Sequence, residues 1–114
     1  MKSPITTHIL DTALGKPAEG IPIVLEMKQA DGAWNELGRG VSNSDGRVSD
    51  LLPENFHLAV GIYRITFLTA EYFRLMNRDS FYPRVVVEFA VKNGSHYHVP
   101  LLLSPFGYST YRGS

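Results

Sequence analysis

The chain has 114 residues, and its eleven Lys+Arg balance eleven Asp+Glu for a formal net charge of zero. That length fits a single domain over residues 1–114, and the absent net charge argues against nucleic acid as the main partner. Cysteine is absent, which removes disulfides, Cys-ligated zinc, iron–sulfur clusters and a thiolate nucleophile.

The opening MKSPITTHIL has one Lys followed by Pro and Thr and no apolar leader segment. No stretch approaches the ~18 apolar residues of a membrane span. The chain therefore reads as soluble, without a membrane partner, and as cytoplasmic, or periplasmic if a leader has been removed. Ten Gly and seven Pro are spread along it, the punctuation of many short elements. There is no internal repeat and no low-complexity tract.

Alternation over Ile5–Leu10 predicts a first strand, with Ile5, Thr7 and Ile9 on one face and Thr6, His8 and Leu10 on the other. Residues 11–20 carry Gly15, Pro17 and Gly20 and read as a loop. Over 21–29, Ile21, Ile23, Leu25 and Met27 point inward, and Pro22 marks an edge position or a strand entry. Ala30-Asp31-Gly32 is a hairpin signal before a third strand at 34–41. The turn formers Ser42-Asn43-Ser44-Asp45-Gly46 follow, with Arg47 directly after them. A strand over 61–68 puts Tyr63, Ile65 and Phe67 on one side. Thr69 then reads as the N-cap of a short helix over 70–77, with Tyr72, Phe73 and Met76 as its buried stripe. Residues 84–91 are β-branched, with Val85, Val87, Phe89 and Val91 on one face. Asn93-Gly94 is the strongest hairpin signal in the chain. The strand over 95–103 sets Tyr97, Val99, Leu101 and Leu103 against His96, His98, Pro100 and Leu102. A weakly alternating tail closes the chain. Short strands at spacings of about 8–12 residues predict an all-β, two-sheet antiparallel sandwich of about eight strands with one short helix.

Four histidines and one arginine are candidates for chemistry. His57 follows Pro53-Glu54-Asn55 and reads as an exposed loop residue. His96 and His98 share a strand face, which suits a polar outer surface, a metal pair or acid–base work. His8 lies within a strand, either as a partly buried hydrogen-bonded imidazole or as part of a site. Arg47, just past a tight Asp-Gly turn, reads as a solvated rim charge or as part of a His/Arg site. The tail gathers Tyr108, Tyr111 and Arg112, more than a frayed end has reason to hold, and an ordinary closing strand accounts for them. No phosphate loop, Gly-x-Ser-x-Gly elbow or His-Glu-x-x-His motif is present. From these residues alone the chain is a soluble β-sandwich with a candidate His/Arg site.

Taken together, five segments resemble one family. They are Thr6-Thr7-His8-Ile9-Leu10-Asp11-Thr12, Gly15-Lys16-Pro17-Ala18, Asp45-Gly46-Arg47, the run His96 to Pro105, and Gly107-Tyr108-Ser109-Thr110-Tyr111-Arg112-Gly113-Ser114. The pattern is similar to the transthyretin-like family of 5-hydroxyisourate hydrolases and spans nearly the whole chain. Its most specific piece is the terminal Tyr-Arg-Gly-Ser, which transthyretin proper lacks. The chain departs from the family at Phe81-Tyr82-Pro83-Arg84, where Phe-Phe-Pro-Glu is usual.

The resemblance implies a homotetramer with active sites at the interface between dimers, and hydrolysis of a small-molecule substrate, 5-hydroxyisourate, in urate breakdown. It implies catalytic roles for His8, Arg47 and His98, and substrate contacts from His8, Arg47, Tyr111 and Ser114, with no metal and no cofactor. The alternative it leaves open is a transthyretin-type protein that binds a small ligand without turning it over.

Overall fold

The computed structural model describes residues 3–114. Nine strands and one short helix follow one another as β1 (Ile5–Asp11), β2 (Lys16–Pro17), β3 (Pro22–Lys28), β4 (Trp34–Val41), β5 (Arg47–Val48), β6 (Gly61–Phe67), α1 (Ala70–Arg74), β7 (Val85–Val91), β8 (Tyr97–Ser104) and β9 (Gly107–Thr110). They form two sheets. One has the order β2-β1-β8-β9, with β5 also paired to β1; the other runs β4-β3-β6-β7.

The period-2 pattern decides which side chains meet between the sheets. Ile5, Ile9, Leu101 and Leu103 from the first sheet pack with Ile23, Leu25, Tyr63, Ile65, Phe67 and Val85 from the second, each at most 2% exposed. Fully burying one such side chain is worth about 1.5–3 kcal/mol, so this shared layer is what holds the sheets face to face. Pro22 sits at the first position of β3, between β4 and β6, so it marks a strand entry and not an edge.

Several local features differ from the sequence expectation. Residues 11–20, expected as a loop, hold the short strand β2, and Met76, expected in the buried stripe of the helix, is exposed beyond its end. The ladder is antiparallel throughout except between β1 and β8, which run parallel with Thr6 opposite His98 and His8 opposite Pro100. Asn93-Gly94 does not close a hairpin, because β7 and β8 belong to different sheets. It turns the chain from one layer to the other, and the Asn93 side-chain oxygen accepts from the Ser95 N–H at 3.0 Å and the Tyr97 hydroxyl at 3.1 Å. Helix α1 ends at Arg74, and Asn77 follows with φ 54. Thr69 does not cap it: its backbone is already helical (φ −87, ψ −20), and its buried hydroxyl has no partner.

What fixes α1 is a buried carboxylate. Asp11, fully buried at the end of β1, accepts from the Tyr72 hydroxyl at 2.7 Å, from Arg78 Nη1 at 2.7 Å and from the Leu14 N–H at 3.0 Å. Burial pushes the Asp11 carboxyl up, but these hydrogen bonds outweigh it and hold it below its ordinary 3.8. Burial, together with the same contact, pushes the Tyr72 hydroxyl up to about 12.

Candidate functional site

The site begins with a turn. Asn43 Oδ1 accepts from the N–H groups of Asp45 (2.9 Å) and Arg47 (3.0 Å), and Gly46 takes φ 75. A Cβ at Gly46 would be strained at that φ and would run into the Ile9 carbonyl oxygen, so only glycine lets the turn press this close to β1. The Gly46 carbonyl accepts from the Ile9 N–H at 2.7 Å. The result is the two-residue pairing of β5 on β1, in which Arg47 lies opposite His8.

On the other side of β1, the parallel register brings β8 alongside. Thr6, His8, His98 and Pro100 alternate with the inward-facing Ile5, Thr7, Val99 and Leu101, so they share the outer face of the sheet. Strand spacing and rise put the Cα atoms of His8 and His98 roughly 8 Å apart on that face. His8 and His98 are partly buried and Arg47 is exposed. Burial lowers the His8 pKa from its ordinary 6.5, and the Arg47 charge lowers it further against the opposing pull of Asp45. The His8 imidazole is therefore held neutral at neutral pH, as a proton acceptor must be.

Thr6 ties the second imidazole down. Its Oγ1 lies 2.8 Å from His98 Nδ1 and 3.1 Å from His96 Nε2, and the two rings stack at 6.4 Å between centroids and 16°. The tail closes over the far side. Thr110 Oγ1 donates to the Pro100 carbonyl at 2.7 Å, and the Gly113 N–H donates to the His98 carbonyl at 2.8 Å. Between these anchors the Arg112 guanidinium stands 4.3 Å above the Tyr97 ring.

The structure thus brings His8, Arg47 and His98 onto one face. Tyr111 lies on the flank of His98, lining a groove of about 320 Å³ with Val87, Phe89, Tyr97 and Arg112, outside which His8 and Arg47 stand. Ser114 is exposed, one residue beyond the Gly113 anchor. His57 is exposed in a loop, as expected. Among the described residues there is no group of three or more His, Cys, Asp or Glu arranged to hold a metal ion. Two participants were not singled out from the sequence. Thr6 could have been, since alternation already set it beside His8; Gly113 shows its role only through its fit against His98.

The face presents two imidazoles and a forked cation, a set able to deprotonate water and stabilise a developing oxyanion. Comparison with known proteins gives the same direction. Residues 5–113 match the HIUase/Transthyretin family. The 5-hydroxyisourate hydrolase of Salmonella dublin is 50% identical over 111 residues, covering 96% of this chain and 80% of that protein. The solved structure of Klebsiella pneumoniae 5-hydroxyisourate hydrolase superimposes with a TM-score of 0.85 at 34% identity, covering all of both chains. Sea bream transthyretin in complex with thyroxine superimposes with a TM-score of 0.90 at 32% identity, covering 96% of this chain and 94% of that one.

Proposed function

The chain belongs to the HIUase/Transthyretin family, is a hydrolase, and we propose that His8, His98 and Arg47 open the six-membered ring of 5-hydroxyisourate by adding water across its amide-like C–N bond. The observation that carries this reading is the convergence of Arg47, His8 and His98 on one outer face through the pairings of β5 and β8 with β1.

One imidazole takes a proton from water as the oxygen adds to the carbonyl carbon. The Arg47 guanidinium donates in its plane to the oxygen that gains charge, and its planar fork suits a flat, oxygen-rich ring better than the point charge of lysine. The C–N bond then breaks and its nitrogen receives a proton, leaving a carboxylic acid and a ureido group in 2-oxo-4-hydroxy-4-carboxy-5-ureidoimidazoline. Base catalysis of this kind is worth about 10²–10⁴ in rate. Tyr111, in the groove beside His98, and Ser114, one residue beyond the Gly113 anchor, contact the substrate from that side.

In one copy this face is open. The outer edges of β7 and β9, each paired on only one side, and the exposed Phe81, Phe106 and Tyr108 support assembly into a homotetramer whose sites lie between dimers. The close superposition on sea bream transthyretin with thyroxine favours a second reading, ligand carriage without turnover. Two imidazoles and a guanidinium suit an apolar guest poorly. One assay separates the two: 5-hydroxyisourate is made in situ with urate oxidase and its ultraviolet decay is followed. Faster decay with the protein present supports hydrolysis, and an unchanged rate overturns it.

A further inference from the structure

His96 is left unused by the chemistry described so far, yet it is joined to His98 through a single hydroxyl. Thr6 is only 3% exposed, and its Oγ1 stands between His98 Nδ1 and His96 Nε2. A hydroxyl has one proton to donate. When Thr6 donates to His96 Nε2, it accepts from an N–H at His98 Nδ1, and His98 Nε2 then carries the lone pair. When Thr6 donates to His98 Nδ1 instead, it accepts from His96 Nε2–H, and His98 Nε2 bears the proton. The hydroxyl therefore locks the tautomers of the two rings together.

We propose that Thr6 and His96 form a reversible proton relay that switches His98 between its base tautomer and its acid tautomer. The proposal rests on the hydrolase reading, with His98 as the imidazole that takes the proton from water. In the forward run, His98 Nε2 gains that proton, the Nδ1 proton moves to Thr6 Oγ1, the Thr6 proton moves to His96 Nε2, and His96 releases its Nδ1 proton to solvent. Exposed His96 is suited to that exchange. In the return run, His98 Nε2–H protonates the leaving nitrogen while His96 Nδ1 takes a proton from solvent, and every proton moves back. Both rings are neutral at the start and end of each run. That matters beside Arg47, whose charge disfavours a second cation on this face. A neutral imidazole alone is a poor acid, and the relay supplies the missing proton from outside.

Thr6 and His96 are positioning residues, so the test needs readouts that a packing defect leaves unmoved. Turnover of 5-hydroxyisourate is measured in weak and in imidazole buffer for the wild type, T6V, T6S, H96A and H98N. Thr6→Val keeps the shape and removes the hydroxyl; Thr6→Ser keeps the hydroxyl and removes the methyl. The relay predicts that T6V loses about tenfold or more in kcat with KM within about twofold, while T6S keeps at least about half. It predicts that H96A, a surface change that leaves the core intact, loses kcat in weak buffer and regains it as imidazole is added. Full kcat in T6V, or a loss in H96A that imidazole does not restore, overturns the relay. If T6V does not fold, the H96A rescue decides alone. A wild type that does not accelerate the decay overturns the hydrolase reading itself. An inactive H98N beside fully active T6V and H96A overturns only the relay.

Discussion

The N–H of Gly113 donates to the carbonyl of His98 at 2.8 Å, and this bond lays the tail so close to the imidazole that a Cβ at position 113 would stand 2.6 Å from His98 Cδ2 and 3.2 Å from Pro100 Cγ. Gly113→Ala must lift the tail or turn the ring. A small displacement of a catalytic group is expensive in rate, so kcat/KM should fall by about tenfold or more. The anchor lies outside the core, so Tm should move by no more than about 3 °C. An alanine variant with wild-type kcat/KM would show that the tail does not set the position of His98.

Burial and Arg47 both hold the His8 pKa below 6.5. A histidine titration followed by NMR should therefore give a His8 midpoint under that value, and Arg47→Gln should move the midpoint upward by removing one of the two causes. The sign also sets the stability term. The folded state resists protonation at His8, so this histidine destabilises the fold only as pH falls from the unfolded value through the lowered one. A midpoint unchanged in the Arg47 variant would mean that the guanidinium does not act on this imidazole.

Arg47→Ala and His98→Asn each remove a group from the outer face without opening the apolar core. Each should lower kcat/KM by about 10² or more, with the far-ultraviolet circular dichroism spectrum retained. Near-full turnover by either variant would remove that residue from the chemistry.

Asp11 joins β1 to Tyr72 of α1 and to Arg78 beyond it. Asp11→Ala leaves the Tyr72 hydroxyl, Arg78 and the Leu14 N–H without their acceptor and should cost about 3 kcal/mol in urea unfolding at neutral pH. The wild-type carboxyl titrates below 3.8, so its contribution is present above that value and is lost as pH falls through the lowered one. The gap between wild type and variant should therefore narrow in strong acid. A gap that stays constant with pH would refute the assignment.

Much of the fold was legible because strand period and burial coincide. Ile23 and Leu25, and Tyr63 to Phe67, alternate in sequence as they alternate in exposure, and Tyr97 to Leu103 do so except at Pro100, which is buried although it lies on the outer face. What escaped was set by distant partners. Asn93-Gly94 carries the composition of a tight reversal, but a turn does not encode which sheet receives the next strand. Thr69 has the side chain of a cap, yet its backbone has already joined the helical region. His8, Arg47 and His98 were candidates by residue type, and the family resemblance was what joined them into one site. Spacing alone could not have joined them, since the register pairing β1 with β8 is a contact between remote segments. Alternation put Thr6 on the face of His8, but its reach to His96 and His98 depends on that same remote register.

The parallel union of β1 with β8 has a kinetic consequence. Thr6 and His98 are 92 positions apart along the backbone, and closing so long a loop carries a larger entropic toll than forming a hairpin such as β3–β4. On dilution from denaturant, circular dichroism that reports the hairpins should therefore rise before enzymatic competence returns. Turnover in this architecture is a marker of the completed chain topology, and it stays silent in any intermediate whose two remote strands have not yet met.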